Sequence, residues 1–113
     1  MVLFVILIIN ANIVQAENKI IKVGLVNNSK EVELNADQGI RLKTSDGYKL
    51  KLTDSTHFQF EKTGQFIRIN NYFFASDYIL IAPLGKELLN FNTRNYNGTI
   101  KLINNSQGIT VIN

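Results

Sequence analysis

Apolar and polar residues alternate with a period of two along most of this chain, which is the pattern of half-buried β-strands. In Lys30 to Asn35, for example, Val32 and Leu34 alternate with charged or polar residues. About nine runs of this kind occur, at residues 30–35, 39–44, 48–53, 57–61, 66–70, 78–82, 88–91, 98–103 and 108–112. The pattern predicts an all-β domain of about nine short, mostly antiparallel strands.

Polar segments with the composition of tight turns separate these runs. They lie at residues 27–29, 37–39, 45–47, 62–64, 97–98 and 104–108. Several contain an Asp or Asn close to a Gly, and such residues supply the positive φ that tight hairpins require. No segment carries a sustained helical period, so the sequence predicts one small β domain over residues 17–113.

The first sixteen residues carry no charge, and every Lys, Arg, Asp and Glu comes later. An apolar run from Val2 to Ile9 precedes Val14 and Ala16, two small residues at the spacing that signal peptidase recognises. The run is shorter than the roughly 20 residues that span a bilayer. We interpret residues 1–16 as a secretory signal, although no basic residue precedes the run; a buried N-terminal strand is the alternative.

This interpretation predicts an exported protein, extracellular or associated with the cell wall, with no stable membrane span after signal removal. An uncleaved signal would instead tether it to the membrane. The chain has no Cys, so it cannot use disulfides and must rely on its core.

The net charge of +3 is not concentrated in any sequence run. The basic residues alternate with apolar ones, as at Arg41, Lys43, Lys49 and Lys51, which is typical of the solvated face of a sheet. A nucleic-acid interface would need basic residues clustered with exposed aromatic ones, so no nucleic-acid partner is predicted. The positive net charge is compatible with a weak affinity for anionic cell-wall polymers.

No constellation of catalytic or metal-binding residues is evident in the sequence. His57 is the only His, and it lies in a strand-like run where we expect it to be exposed. Glu31 and Glu33 share one predicted sheet face and read as solvated. The residues Asp37, Asp46 and Asp54 fall in predicted turns. No Gly-x-Ser-x-Gly elbow or Gly-rich phosphate loop is present, so we assign no catalytic, cofactor-binding or metal-binding residue.

An aromatic stretch, Tyr72-Phe73-Phe74 followed by Tyr78, is the candidate binding feature. Aromatic side chains usually fill a small β core, but exposed rings can stack on sugars. Strand alternation would expose one of Tyr72 and Phe73. These two residues are therefore the candidates for contact with a glycan or a protein partner.

Several phrases, in order, resemble the N-terminal part of the stage II sporulation protein D family, also called amidase enhancers. They are residues 20–26 (IIKVGLV), 31–42 (EVELNADQGIRL), 96–102 (YNGTIKL) and 108–113 (GITVIN). The family has a first strand reading I-x-V-G-L, a later Y-R-G-x-I-x-L and then V-I-N. Asn97 stands where the family often has Arg.

The resemblance implies a role in bacterial peptidoglycan remodelling, as a lytic transglycosylase or an enhancer of a wall amidase, with peptidoglycan or that amidase as partner. In the family, the acidic residue credited with catalysis follows the V-I-N strand, and this chain ends at Asn113. We therefore expect a non-catalytic N-terminal portion whose β domain is incomplete at its C-terminal end, with an exposed strand edge or an exposed apolar face there. The alternative is an independent secreted β-sandwich that binds a cell-wall glycan or a protein.

Overall fold

Twelve β-strands in two six-stranded sheets make up the computed structural model, which describes residues 24–86 and 88–113. The strands are β1 (Gly24–Ser29), β2 (Glu31–Asn35), β3 (Ile40–Thr44), β4 (Lys49–Leu52), β5 (His57–Thr63), β6 (Phe66–Ile69), β7 (Tyr72–Phe74), β8 (Tyr78–Pro83), β9 (Leu89–Phe91), β10 (Arg94–Tyr96), β11 (Ile100–Asn105) and β12 (Gly108–Ile112). The all-β prediction is confirmed. The predicted signal, residues 1–16, lies outside the described residues.

The two sheets are built from antiparallel pairs throughout. Sheet A has the strand order β10-β9-β2-β5-β6-β7, and sheet B has the order β1-β12-β11-β8-β3-β4. Hairpins join neighbours within one sheet, as between β3 and β4 or between β11 and β12. The other links, such as β2 to β3 and β7 to β8, carry the chain from one sheet to the other.

Alternate residues of both sheets point inward and form one shared core. The inward residues of β2 and β5 in sheet A include Leu34, Phe58 and Phe60, while those of β3 and β8 in sheet B include Leu42 and Ile81; all are at most 1% exposed. One hydrophobic cluster contains side chains from both sheets. The protein is therefore a sandwich of two facing sheets.

Three of the described strands, β1, β7 and β10, are additional to the nine that the alternation predicts. All three are at the edges of the sheets that the described residues form. Residues 27–29 were predicted as a turn but belong to β1, in which Asn28 has a φ of 53° and the pairing with β12 is irregular. The predicted turns at 37–39 and 45–47 are confirmed, with positive φ at Gly39 and Gly47.

The strand β12 lies inside sheet B, between β11 and β1. Its inward residues Ile109 and Val111 are completely buried. The expectation of an exposed edge at the C-terminal strand was wrong, because β1 pairs with the side of β12 that faces away from β11.

Within residues 24–86 and 88–113, no helix is long and apolar enough to cross a membrane.

Candidate functional site: an aromatic edge and a basic face

Three aromatic rings lie together where the edge of sheet A meets the β3–β4 hairpin of sheet B. Phe74 of β7 is 9% exposed, and its ring contacts the rings of both Tyr72 and Tyr48. The Tyr72 and Phe74 rings are nearly parallel, at 4°, with centroids 6.3 Å apart. The Tyr48 ring is tilted against Phe74, with a centroid distance of 5.6 Å. We call Tyr48, Tyr72 and Phe74 the aromatic edge.

The two tyrosines of the aromatic edge are the accessible rings. Tyr48 is 49% exposed and Tyr72 is 37% exposed. A tyrosine ring offers an apolar face for stacking, and its hydroxyl both donates and accepts hydrogen bonds. The arrangement can therefore bind a ligand that has apolar faces bordered by polar groups.

Hydrogen bonds around Thr44 fix the position of Tyr48. Thr44 is the one buried polar residue in the described core, at 2% exposure. The Thr44 hydroxyl oxygen accepts a hydrogen bond from the backbone N–H of Tyr48 at 3.0 Å. The backbone N–H of Thr44 donates to the Tyr48 carbonyl at 2.9 Å. Tyr48 therefore leaves the hairpin in a defined direction, toward Phe74.

A second set of hydrogen bonds ties the β3–β4 turn to the β7–β8 link, next to the aromatic edge. The Ser76 hydroxyl donates to Asp46 Oδ1 at 2.6 Å, and the Asp77 N–H donates to Ser45 Oγ at 2.9 Å. The bond from Ser76, followed by one from Thr44, lowers the pKa of the Asp46 carboxyl below 3.8. These contacts hold the two sheets together at the place where the aromatic rings meet.

The predicted site residues Tyr72 and Phe73 do not form one surface. Consecutive residues of a strand point to opposite faces, so Phe73 lies on the outer face of sheet A. There it is 53% exposed and meets the Phe66 ring edge to face, with centroids 6.1 Å apart. Both predicted residues are exposed, because β7 has a neighbour on one side only. Tyr48 was missed as a partner of Tyr72, since sequence spacing does not show that the two sheet edges meet.

The outer face of sheet A carries charges of both signs, paired with each other. Arg68 donates to Glu61 Oε1, and His57 Nε2 lies 3.7 Å from Glu33 Oε2. His57 Nδ1 is 2.8 Å from Asn35 Oδ1. The predictions that Glu31, Glu33 and His57 are exposed on a polar face are confirmed. Among the described residues, no three His, Cys, Asp or Glu side chains are grouped to hold a metal ion.

The outer face of sheet B has a different charge pattern. Its six strands contain no Asp or Glu. Five basic residues lie on these strands: Arg41, Lys43, Lys49, Lys51 and Lys101. The first four are exposed, and the Lys101 ammonium lies 4.3 Å from the centroid of the Tyr78 ring. We call these five side chains the basic face.

The basic face was described from the sequence only as a solvated sheet surface. Its members are separated along the chain by apolar residues and by whole strands. The alternation predicted that the charged residues of these strands point outward. It could not show that β3, β4 and β11 lie in one sheet and that β2 and β5, which carry the glutamates, lie in the other.

The fold defines the class of this protein, a two-sheet antiparallel β-sandwich. No protein-family model, curated protein or solved structure matches the chain. The resemblance to the stage II sporulation protein D family therefore stays a prediction that rests on the phrases quoted above.

Proposed function

We propose that this chain is a non-catalytic binding module that docks on cell-wall glycan through the aromatic edge. The observation that carries the proposal is the pair of exposed tyrosines, Tyr48 and Tyr72, whose rings both contact the Phe74 ring. Rings that are exposed and yet held in place by packing lose little conformational freedom when a ligand binds.

The chemistry of the aromatic edge fits a sugar polymer. A pyranose ring has an apolar face of C–H groups and a rim of hydroxyls. Tyrosine matches both parts, since its ring stacks and its hydroxyl exchanges hydrogen bonds. Two rings contributed by different sheets can contact successive sugars of one glycan strand, and this supports a polymeric ligand over a single sugar.

A second candidate follows from the family resemblance, namely the N-terminal portion of an exported peptidoglycan-remodelling protein that acts beside a wall amidase. One observation favours it. The two most specific phrases form a single unit, because β11 and β12 pair as a hairpin. The Asn113 amide donates to the carbonyls of Asn97 and Thr99, at 3.0 and 3.3 Å, and so closes the unit.

Co-sedimentation with purified, insoluble peptidoglycan tests the proposed binding. We expect the full chain to sediment with it and the double variant Tyr48→Ala/Tyr72→Ala to stay in the supernatant. The matched control is Phe66→Ala/Phe73→Ala, which also removes two rings but from the outer face of sheet A. Equal sedimentation of the two double variants would contradict a role for the aromatic edge.

Incubation with peptide-stripped glycan strands tests the non-catalytic part of the proposal. We expect intact strands after prolonged incubation with the full chain. Release of anhydro-sugar products would contradict it and would favour a transglycosylase activity.

A further inference from the structure

The link between β10 and β11 contains the one Asn-Gly dipeptide of the chain, Asn97-Gly98. Both residues are exposed, and Gly98 forms a bend with a φ of 76°. A Cβ placed on Gly98 would meet no described atom within 4 Å, so this bend projects away from the sandwich. Because glycine has no side chain, its backbone nitrogen is open to approach by the Asn97 side chain.

The two groups that could react at this bend have no partner in the described part of the chain. The Asn97 backbone carbonyl accepts a hydrogen bond from the Asn113 amide at 3.0 Å. Within residues 24–86 and 88–113, nothing bonds to the side-chain amide of Asn97, and nothing accepts a bond from the Gly98 N–H. No protein hydrogen bond therefore has to break before these two groups meet.

The similar Asp-Gly dipeptide of the β3–β4 turn, Asp46-Gly47, is held by hydrogen bonds at both residues. The Gly47 N–H donates to the Thr44 carbonyl at 3.0 Å. Asp46 Oδ1 accepts from the Ser76 hydroxyl at 2.6 Å. An attack by the Gly47 nitrogen on the Asp46 side chain would break both bonds, so the fold protects this turn.

The two Asn-Ser dipeptides, Asn28-Ser29 and Asn105-Ser106, are the next candidates, because serine is also a small residue. Their asparagine side chains are bonded to each other, since Asn105 Nδ2 donates to Asn28 Oδ1 at 3.2 Å. Asn105 Nδ2 also donates to Thr110 Oγ1 at 2.6 Å. These bonds keep both amides away from the backbone nitrogens that follow them.

We propose that Asn97 is a site of spontaneous deamidation in the folded protein, selected by the geometry of its bend. The Gly98 nitrogen gives its proton to solvent and forms a bond to Asn97 Cγ. The bond from Cγ to Nδ2 breaks, and the nitrogen takes a proton from water and leaves as ammonia. Water then opens the cyclic succinimide at one of its two carbonyl carbons, which gives aspartate or isoaspartate. No oxidant or reductant is needed.

The isoaspartyl product alters the link between β10 and β11. Its main chain is one methylene longer, and the former backbone carbonyl that accepts from Asn113 becomes part of a free carboxylate. Among the described strands, β10 has three residues and pairs only with β9. The modification therefore acts on a weakly held edge strand. This inference is independent of the proposed glycan binding, because it involves neither Tyr48 nor Tyr72.

The test follows the full chain during incubation in mildly alkaline buffer, with and without urea. Peptide mapping by mass spectrometry locates each exchange of –NH2 for –OH. In the folded wild type we expect Asn97 to convert at least about tenfold faster than Asn28 or Asn105, whose bonds must open first. The control Asn97→Gln should acquire no modification at position 97 on the same timescale, because its longer side chain closes a ring slowly.

The variant Asp46→Asn separates the effect of the fold from that of the dipeptide, since it creates a second Asn-Gly pair inside the bonded β3–β4 turn. In the folded variant we expect position 46 to convert at least about tenfold more slowly than position 97, because the turn must open first. In urea the two positions should convert at similar rates. Far-ultraviolet circular dichroism checks that the variant is folded.

Two results would overturn the proposal. One is an Asn97 that stays intact in the folded wild type but converts in urea, because the bend would then protect it. The other is an equal rate at positions 46 and 97 in the folded variant, because the dipeptide and not the fold would then set the rate. If Asp46→Asn does not fold, the wild-type comparison of Asn97 with Asn28 and Asn105 decides, and equal rates there would also overturn the proposal.

Discussion

The side chain of Asn104, on β11, joins three other parts of the sandwich. Its amide donates to the carbonyls of Gln65, in the β5–β6 turn, and Ser76, in the β7–β8 link, at 3.0 and 3.1 Å. Its carbonyl oxygen accepts a bond from Lys62 Nζ. Burial, and then the positive charge of Lys30, lower the pKa of Lys62, so this amide supports a lysine in an unfavourable site.

Replacement of this amide should therefore destabilise the fold. We expect Asn104→Ala to lower the free energy of unfolding by about 1–2 kcal/mol, because two carbonyls lose their donor and a partly buried ammonium loses its acceptor. Asn95→Ala, on the exposed β10, is the control and should change stability by less than about 0.5 kcal/mol. Equal values in urea unfolding would contradict this role of Asn104.

Asp46 gives a prediction about pH at the same scale. Its pKa is lowered in the folded state, chiefly by the Ser76 hydroxyl, so its stabilising contribution is present above its ordinary value of 3.8 and is lost as the pH falls below that value. We expect the difference in unfolding free energy between the wild type and Asp46→Asn to shrink as the pH is lowered through this range. A constant difference for Asp46→Asn at all pH values would contradict the assigned bond.

At the scale of the elements, the alternation of apolar and polar residues predicted the strands that have neighbours on both sides and one edge strand, β4. It missed β7 and β10, which have three residues each, and the bulged β1. These strands are fixed by pairing with a neighbour and not by their own pattern, so local sequence could not reveal them. The turns were more predictable, because Gly39 and Gly47 are required by backbone conformation, with φ values of 93° and 95°.

Substitutions at these two glycines distinguish the cost of backbone strain alone from the added cost of a clash with a neighbouring strand. A Cβ on Gly47 would meet nothing within 4 Å, whereas one on Gly39 would lie 2.3 Å from the Leu52 carbonyl oxygen of β4. We expect Gly47→Ala to cost about 1–2 kcal/mol from backbone strain alone. Gly39→Ala should cost about 1–3 kcal/mol more, because the β4 backbone must move. Equal melting temperatures of the two variants would show that the hairpin yields without cost.

At the scale of the whole molecule, the two sheets have outer faces of different charge, because the acidic strands belong to sheet A and the basic strands to sheet B. Three features protect the edges of the described sheets: β4 carries Lys49 and Lys51, β7 and β10 are short, and β1 is bulged. The sequence predicted the two-sided strands and the exposure of Tyr72 or Phe73. It could not predict that Tyr48 meets Phe74, or that sheet B holds five cations and no acid, because both depend on strand order.

The most direct test of the proposed function is a calorimetric titration of the full chain with soluble, peptide-stripped glycan strands, in wild-type and Tyr48→Ala/Tyr72→Ala forms. We predict saturable binding by the wild type and an affinity at least about tenfold lower for the variant, equivalent to about 1.4 kcal/mol. Phe66→Ala/Phe73→Ala should keep the wild-type affinity. No binding by the folded wild type, or equal binding by all three proteins, would contradict the proposal that the aromatic edge is a glycan site.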